Sequence, residues 1–331
     1  MCPDAADLDL SIAAKALAEH AVAPGSPLEL MNRSENSTYL LTDSATGERS
    51  VVRVHRGGYH ERHQIESELM WLDALSADGA VAVPRPLAAA DGRRVVTVDV
   101  DGAPRHVVRF EWVTGAHPAE DALGQADFHE LGRITAVLHR HSRTWSRPDG
   151  FDRFAWDWDA CLGAAPRWGR WQDSAGVGET ERAVLDRAQR LLRERLREYG
   201  CGPNRFGLVH ADLRLANLLI DAGDLTVIDF DDSGFSWFFY DFAAAVSFIE
   251  DDPALPAWQD AWLTGYRTVA PVDRADEDML ASLVLVRRLM LLAWMGTHDH
   301  ALEAQTKLAS YAQGSCALAE GYLSSAGRTL G

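Results

Sequence analysis

The chain has 331 residues, 47% of them hydrophobic and 24% charged, enough to bury a real core and to divide into two lobes. A net charge of -17 at pH 7 and a sequence pI of about 5.1 argue against a nucleic-acid partner. The acidic residues 1–7 form no secretory n-region, the longest apolar stretch is cut by Arg287 and Arg288, and Cys2, Cys161, Cys201 and Cys316 have no metal-type spacing; no membrane span is expected, and a reducing cytoplasm is the simplest home.

Taken in chain order, residues 5–22 read as a helix with Ile12 and Leu17 on its apolar face. Residues 28–31, 38–41 and 50–55 read as three strands, the first two joined by a polar turn over 32–37. Between 61 and 75, Ile65, Leu69, Leu72 and Leu75 recur at helical spacing, and Pro84 then leads into extended chain. Segments 94–100 and 106–113 flank Asp101-Gly102, a hairpin signal. The rest reads as mostly helical, over roughly 124–142, 179–199, 236–250, 256–269, 275–296 and 300–323. This order predicts an α+β protein of two lobes: a small β-rich lobe with one main helix over 1–113, and a larger, mostly helical lobe over 114–331. No internal repeat or low-complexity segment is visible.

Chemistry concentrates in His210-Ala211-Asp212-Leu213-Arg214-Leu215-Ala216-Asn217, followed twelve residues later by Asp229-Phe230. His-x-Asp-Leu-x-x-x-Asn and then Asp-Phe have the order and spacing of a kinase catalytic loop and its metal-binding Asp. Phosphoryl transfer needs in-line positioning and charge neutralisation more than covalent help. Mg2+ prefers oxygen ligands, and Asn217 and Asp229 would supply an amide oxygen and a carboxylate. Asp212 would accept or orient the proton of the attacking hydroxyl, and His210 would brace the loop. Residues 218–220 and 225–228 flank Asp221-Ala222-Gly223-Asp224, a hairpin expected to turn at Gly223 and to carry Asn217 and Asp229 at one end of its ribbon.

Lysine occurs only at Lys15 and Lys307, so no Walker A loop exists. Arg53 stands in the third strand where a kinase keeps its phosphate-pairing lysine, on the opposite face from Val52 and Val54. Its expected carboxylate partner is Glu68 on the following helix, with Glu66 as the alternative. The 32–38 loop has no glycine, but Ser34, Asn36 and Ser37 could approach phosphates through polar side chains and backbone N–H groups. His55, His60 and His63 fit no common zinc spacing and are expected to be exposed.

These stretches resemble the aminoglycoside phosphotransferase / choline kinase superfamily, in particular a branch with homoserine-kinase-like, hydroxylysine-kinase-like and stress-response-kinase members. The likeness runs over roughly residues 28–300. It is carried by 50–59 with the helix containing Glu68, by 210–217, and by Ile228-Asp229-Phe230-Asp231-Asp232 running to Tyr240-Asp241-Phe242. It implies a bilobal protein-kinase-like fold holding ATP and Mg2+ between its lobes. It also implies that Phe110-Glu111-Trp112-Val113 is the hinge, with the backbone of Glu111 and Val113 facing adenine, and that Asp241 braces the catalytic region. Departures are Arg53 for Lys, Ala211 where Gly is common, and Leu213-Arg214-Leu215-Ala216 where a His-Pro stretch is usual. Arg214, near the acceptor site, groups with Asp212 and His210 in the catalytic loop and points to a different substrate.

Only about ten residues separate Asp229 from Tyr240-Asp241, and no Ala-Pro-Glu follows, so the segment that docks a peptide in protein kinases is missing. The expected activity is transfer of the γ-phosphoryl of ATP to a hydroxyl of a small amino-acid-like, amino-alcohol or aminoglycoside-type acceptor. Asp231, Asp232 and the aromatic stretch 151–158 are candidate walls for a cationic group. The rival readings are a stress-response-type protein Ser/Thr kinase and a non-catalytic nucleotide-binding module.

Overall fold

The computed structural model describes residues 5–33, 36–118, 124–222, 224–297 and 302–329. The protein is a mixed α+β chain that divides into two compact units. One comprises Met1–Ala116, Ser146–Arg153 and Leu219–Asp231; the other comprises His117–Trp145, Phe154–Leu218 and Asp232–Gly331.

The first unit is built on an antiparallel sheet of six strands. In chain order these are β1 (Leu28–Arg33), β2 (Ser37–Thr42), β3 (Arg49–Val54), β4 (Pro86–Leu87), β5 (Val95–Val100) and β6 (Ala103–Glu111). The spatial order is β1-β2-β3-β6-β4, with β5 also paired to β6. The β5–β6 turn is Asp101-Gly102, both at positive φ (53° and 83°), the geometry that favours Asp-Gly. Helix α1 (Ala5–Leu17) buries Ile12, Ala13, Ala16 and Leu17 against Tyr39, Leu41, Val52 and Val54. Because strand side chains alternate, that packing leaves Arg53 on the other face of β3, toward helix α2 (Arg62–Ala77). The α2 core face is Ile65, Glu68, Leu69, Leu72 and Leu75, and the Glu61 N–H is capped by Gln64.

In the second unit, α3 (Gln125–Thr144) crosses α7 (Leu255–Arg267) at Gly132 and Gly265. A Cβ on either glycine would run into the backbone of Trp262 or His129, so only glycine allows these helices to approach so closely. Helices α4 (Trp158–Leu162), α5 (Glu179–Tyr199), α6 (Tyr240–Ala245), α8 (Arg274–Thr297) and α9 (Leu302–Thr329) are the other α-helices of this unit among the described residues. Strand β7 (Phe206–Val209) leads into the 210–217 loop; the hairpin of β8 (Leu218–Asp221) and β9 (Asp224–Val227) that follows belongs, from Leu219 on, to the first unit.

Three sequence expectations need correction. The expected helix over 236–250 is instead strand β10 (Gly234–Trp237) followed by the short α6. Gly-Phe-Ser-Trp pairs antiparallel with β7, Gly234 opposite Val209 and Trp237 opposite Phe206, and alternating aromatics favour that strand. The helix expected over 5–22 stops at Leu17. The apolar stretch around Arg287 and Arg288 is an unbroken 24-residue helix, long and apolar enough by length and composition to cross a membrane. Its apolar window is 89% buried within the protein, as in a core helix, and both arginines are buried with partners. Gly223, expected to turn the β8–β9 hairpin, lies outside the described residues; Ala222 beside it takes φ 51°.

Candidate active site

In the first unit the sequence candidates gather around Arg53. Its Nη2 donates to both Glu68 oxygens at 2.7 and 2.8 Å, a pair with almost no solvent exposure. Its Nη1 lies 3.5 Å from Asp229 Oδ1, its Nη2 3.9 Å from Asp231 Oδ1, and the guanidinium sits over the Phe110 ring at 5.0 Å. Burial works against the charge on Arg53, but Glu68, Asp231 and Asp229 outweigh it and hold the group more firmly protonated than an ordinary arginine. Glu66, the alternative partner, instead pairs with Arg62 on the exposed face.

Asp231 was expected to wall an acceptor site, but it is buried at the hub of this cluster. Asn36 Nδ2 donates to its Oδ2 at 2.8 Å, His60 Nε2 lies 3.4 Å from Oδ2, and His55 Nδ1 lies 3.2 Å from Oδ1. Arg153 donates to its backbone oxygen. Burial would raise the Asp231 carboxyl, yet His60, Arg53 and His55 hold it well below the usual carboxylate range. His55 and His60, expected to be exposed, are therefore buried partners of Asp231; only His63 is exposed, against Asp152. Burial, helped by Arg53, pushes His55 down to about 4. Asn36 also accepts from the Arg56 N–H, so both ends of its amide are engaged. Ser34 lies outside the described residues.

Asp229 takes φ 63°, a left-handed turn that Asp tolerates, and its side chain is about half exposed. Phe230 is anchored edge-on against Trp71 on α2. Glu111 closes β6; its N–H goes to Arg85 O and its side chain to the Arg85 guanidinium. Val113 follows in irregular chain, half-buried.

The second unit holds the loop after β7. Asn217 Nδ2 donates to the Asp212 carbonyl at 2.7 Å and to its Oδ2 at 2.9 Å. Arg214 Nε lies 3.4 Å from the same carboxylate. Burial alone would raise the Asp212 carboxyl, but Arg214, Arg287, His210 and the Asn217 amide outweigh it and leave it below its ordinary value. His210 is fully buried, its Nδ1 3.3 Å from the Asp212 N–H.

The turn itself is strained: Ala211 has φ 66°, which explains why glycine suits the position, and such a conformation costs about 1–3 kcal/mol. Asp241 offsets that cost, its two oxygens accepting from Ala211 N at 2.7 Å and His210 N at 3.3 Å. Asp241 is in turn held by His139 Nε2 at 2.9 Å, with Tyr266 OH 3.0 Å from His139 Nδ1. Burial pushes His139 below its ordinary value, so the ring is neutral and donates from Nε2 to the carboxylate.

Against known proteins, residues 29–274 match the model of the Phosphotransferase enzyme family (APH). The chain belongs to that family. Amicoumacin kinase of Bacillus subtilis (strain 168) is 31% identical over 192 residues, 57% of this chain; the match spans about half, 54%, of that relative's length. Among solved structures, a microcompartment-associated aminopropanol kinase is 58% identical, with a TM-score of 0.89 over 96% of this chain and 98% of its own. An amicoumacin kinase in complex with AMP-PNP, Ca2+ and Ami superposes with a TM-score of 0.76 over 93% of this chain and 92% of its own; at 19% identity this likeness shows the fold alone. The α+β protein-kinase-like architecture and the aminoglycoside phosphotransferase / choline kinase resemblance thus both hold for this chain.

Sequence reasoning missed Asp231 as a hub, its histidines, and Arg287. Two adjacent arginines in the middle of an apolar helix were the available signal, because such groups are buried only with partners.

Proposed function

We propose that this chain transfers the γ-phosphoryl of ATP to the hydroxyl of a small amino alcohol of the aminopropanol type. The observation that carries the reading is the 58% identity to an aminopropanol kinase over nearly the whole of both chains. The Asp212–Asn217 loop is consistent with it, presenting an ionised, hydrogen-bonded carboxylate of the kind such a transfer uses.

In this reading Asp212 accepts a hydrogen bond from the acceptor hydroxyl and aligns its oxygen for in-line attack, taking the proton as the new bond forms. His210 and Asp241 fix the loop that carries it. Arg53, buttressed by Glu68, faces the phosphates in place of a lysine, and the Asn36 turn approaches them through its backbone. Phe110, the Glu111 carbonyl and the Val113 amide receive the adenine. Arg214, beside Asp212 and 31% exposed, borders the acceptor. The functional division runs at the hinge, with nucleotide handled by residues 1–113 and the acceptor by 114–331.

The donor set fits a hard divalent cation such as Mg2+. Asn217 spends its amide hydrogens on Asp212, which leaves the amide oxygen as its ligand atom, and Asp229 offers a half-exposed carboxylate. When bound, the ion neutralises phosphate charge.

Acceptor-dependent ADP release across aminopropanol, ethanolamine, choline, homoserine and an aminoglycoside tests the proposal. Turnover should be fastest with aminopropanol; release that no member of the panel stimulates would sink it.

A further inference from the structure

Helix α8 carries Arg287 in the middle of its apolar run, with only 2% of the side chain exposed. A guanidinium has five N–H donors, and four of these have partners at hydrogen-bond distance. Nε donates to Ser247 Oγ at 3.0 Å; Nη1 donates to Tyr240 OH at 3.1 Å and to the Ala211 carbonyl at 3.3 Å; Nη2 donates to Asp212 Oδ1 at 2.7 Å. The planar group also lies over Trp168, 4.8 Å from the ring centre. Its forked shape is thus fixed by the core on one side and turned onto the catalytic loop on the other.

The two oxygens of Asp212 are held by different elements. Arg287 on α8 donates to Oδ1 at 2.7 Å and Asn217 within the loop to Oδ2 at 2.9 Å, while Arg214 Nε lies farther off, 3.4 Å from each oxygen. Neither bond alone sets the tilt of a carboxylate; together they leave it one orientation. The same guanidinium holds the carbonyl of Ala211, the residue in the strained left-handed conformation. A buried ion pair is a poor way to gain stability, since well-packed apolar residues of similar volume do as well or better. Spending one here makes sense for positioning.

We propose that Arg287 is the positioning residue of the catalytic loop, orienting the Asp212 carboxylate and fixing the Ala211 turn, so that α8 sets the geometry of the acceptor hydroxyl. The proposal rests on the phosphotransferase reading, because it acts only through Asp212. It differs from the role of neighbouring Arg288, whose guanidinium binds Glu250, Ser315 and the Tyr311 carbonyl and ties α8 to α9.

The test compares Arg287→Lys, Arg287→Met, Asp212→Asn and the double variant Asp212→Asn/Arg287→Met. Steady-state kinetics give kcat and the KM for ATP, and calorimetry gives ADP affinity. A misplaced base should lower kcat roughly 100-fold in Arg287→Met and about 10-fold in Arg287→Lys, which keeps the charge but not the fork. ADP affinity and the KM for ATP should stay within about threefold, as they do when only a transition-state interaction is lost. In the Asp212→Asn background the Arg287→Met change should cost less than about threefold, because the two residues act as one unit. Equal losses in both backgrounds, or an Arg287→Met enzyme as fast as its parent, would overturn the proposal.

The double variant leaves no unpaired buried charge, so it serves if Arg287→Met alone does not fold; Arg287→Lys, made in both backgrounds, then carries the comparison. Should the parent show no acceptor-dependent turnover, the functional reading fails by itself. A crystal structure of Arg287→Lys still decides the inference: a rotated Asp212 carboxylate supports it, and an unmoved one refutes it.

Discussion

Two buried arginines, one in each unit, have surroundings that differ in kind. Arg53 faces three carboxylates, Glu68, Asp229 and Asp231, with His55 and His60 also against Asp231. Arg287 faces one carboxylate, Asp212, and otherwise bonds neutral groups. The first set has more negative charge than its guanidinium matches, in keeping with the proposal that a cation and phosphates are handled there. The second brings its guanidinium, with Arg214 nearby, onto one carboxylate, which suits the fixing of that group. Arg53 is therefore not a failed lysine. Its fork reaches Glu68 and both acids of the Asp-Phe-Asp segment, which a single ammonium could not span as well.

The contrast can be broken from either side. The largest expected effect is at Arg53: replacement by Met strands Glu68 as a buried charge and should destabilise the protein by about 3–5 kcal/mol. Arg53→Lys should instead fold, with a KM for ATP raised on the order of 10-fold. Denaturant titration and ATP kinetics on the two variants check this, and wild-type stability in Arg53→Met would show that the three-acid cluster does not depend on its cation.

A smaller effect follows from His55. Its folded value is about 4 against an ordinary 6.5, so above pH 6.5 it is neutral whether folded or unfolded. As the pH falls below 6.5 the unfolded chain binds a proton that the folded chain refuses until about pH 4. Stability is thus lost on acidification across that window, by ~3 kcal/mol in all. His55→Gln should flatten the decline in unfolding free energy between those limits by a similar amount. An unchanged decline would mean that His55 is not held neutral by burial beside Arg53.

Much of the frame was legible in the sequence because it depends on local patterns. The alternation around Val52-Arg53-Val54, the spacing of Ile65, Leu69 and Leu72, and the Asp101-Gly102 turn all translate into elements that form where expected. The Arg53–Glu68 pair was also readable, because it needs only a strand face and the helix that covers it. What escaped depends on segments far apart in the chain. Asp231 collects Asn36, His55 and His60 across nearly 200 residues, and Arg287 reaches Asp212 across 75. No period or spacing encodes such pairings. The strand at Gly234–Trp237 was misread for the same reason, since its partner β7 lies almost thirty residues earlier.

The central claim is that Asp212 orients the acceptor hydroxyl for phosphoryl transfer, and Asp212→Asn tests it most directly. Acceptor-dependent ADP release with aminopropanol should fall roughly 100- to 10,000-fold, while calorimetric affinity for ADP stays within about twofold. Unchanged turnover in that variant, with its fold intact, would contradict the account.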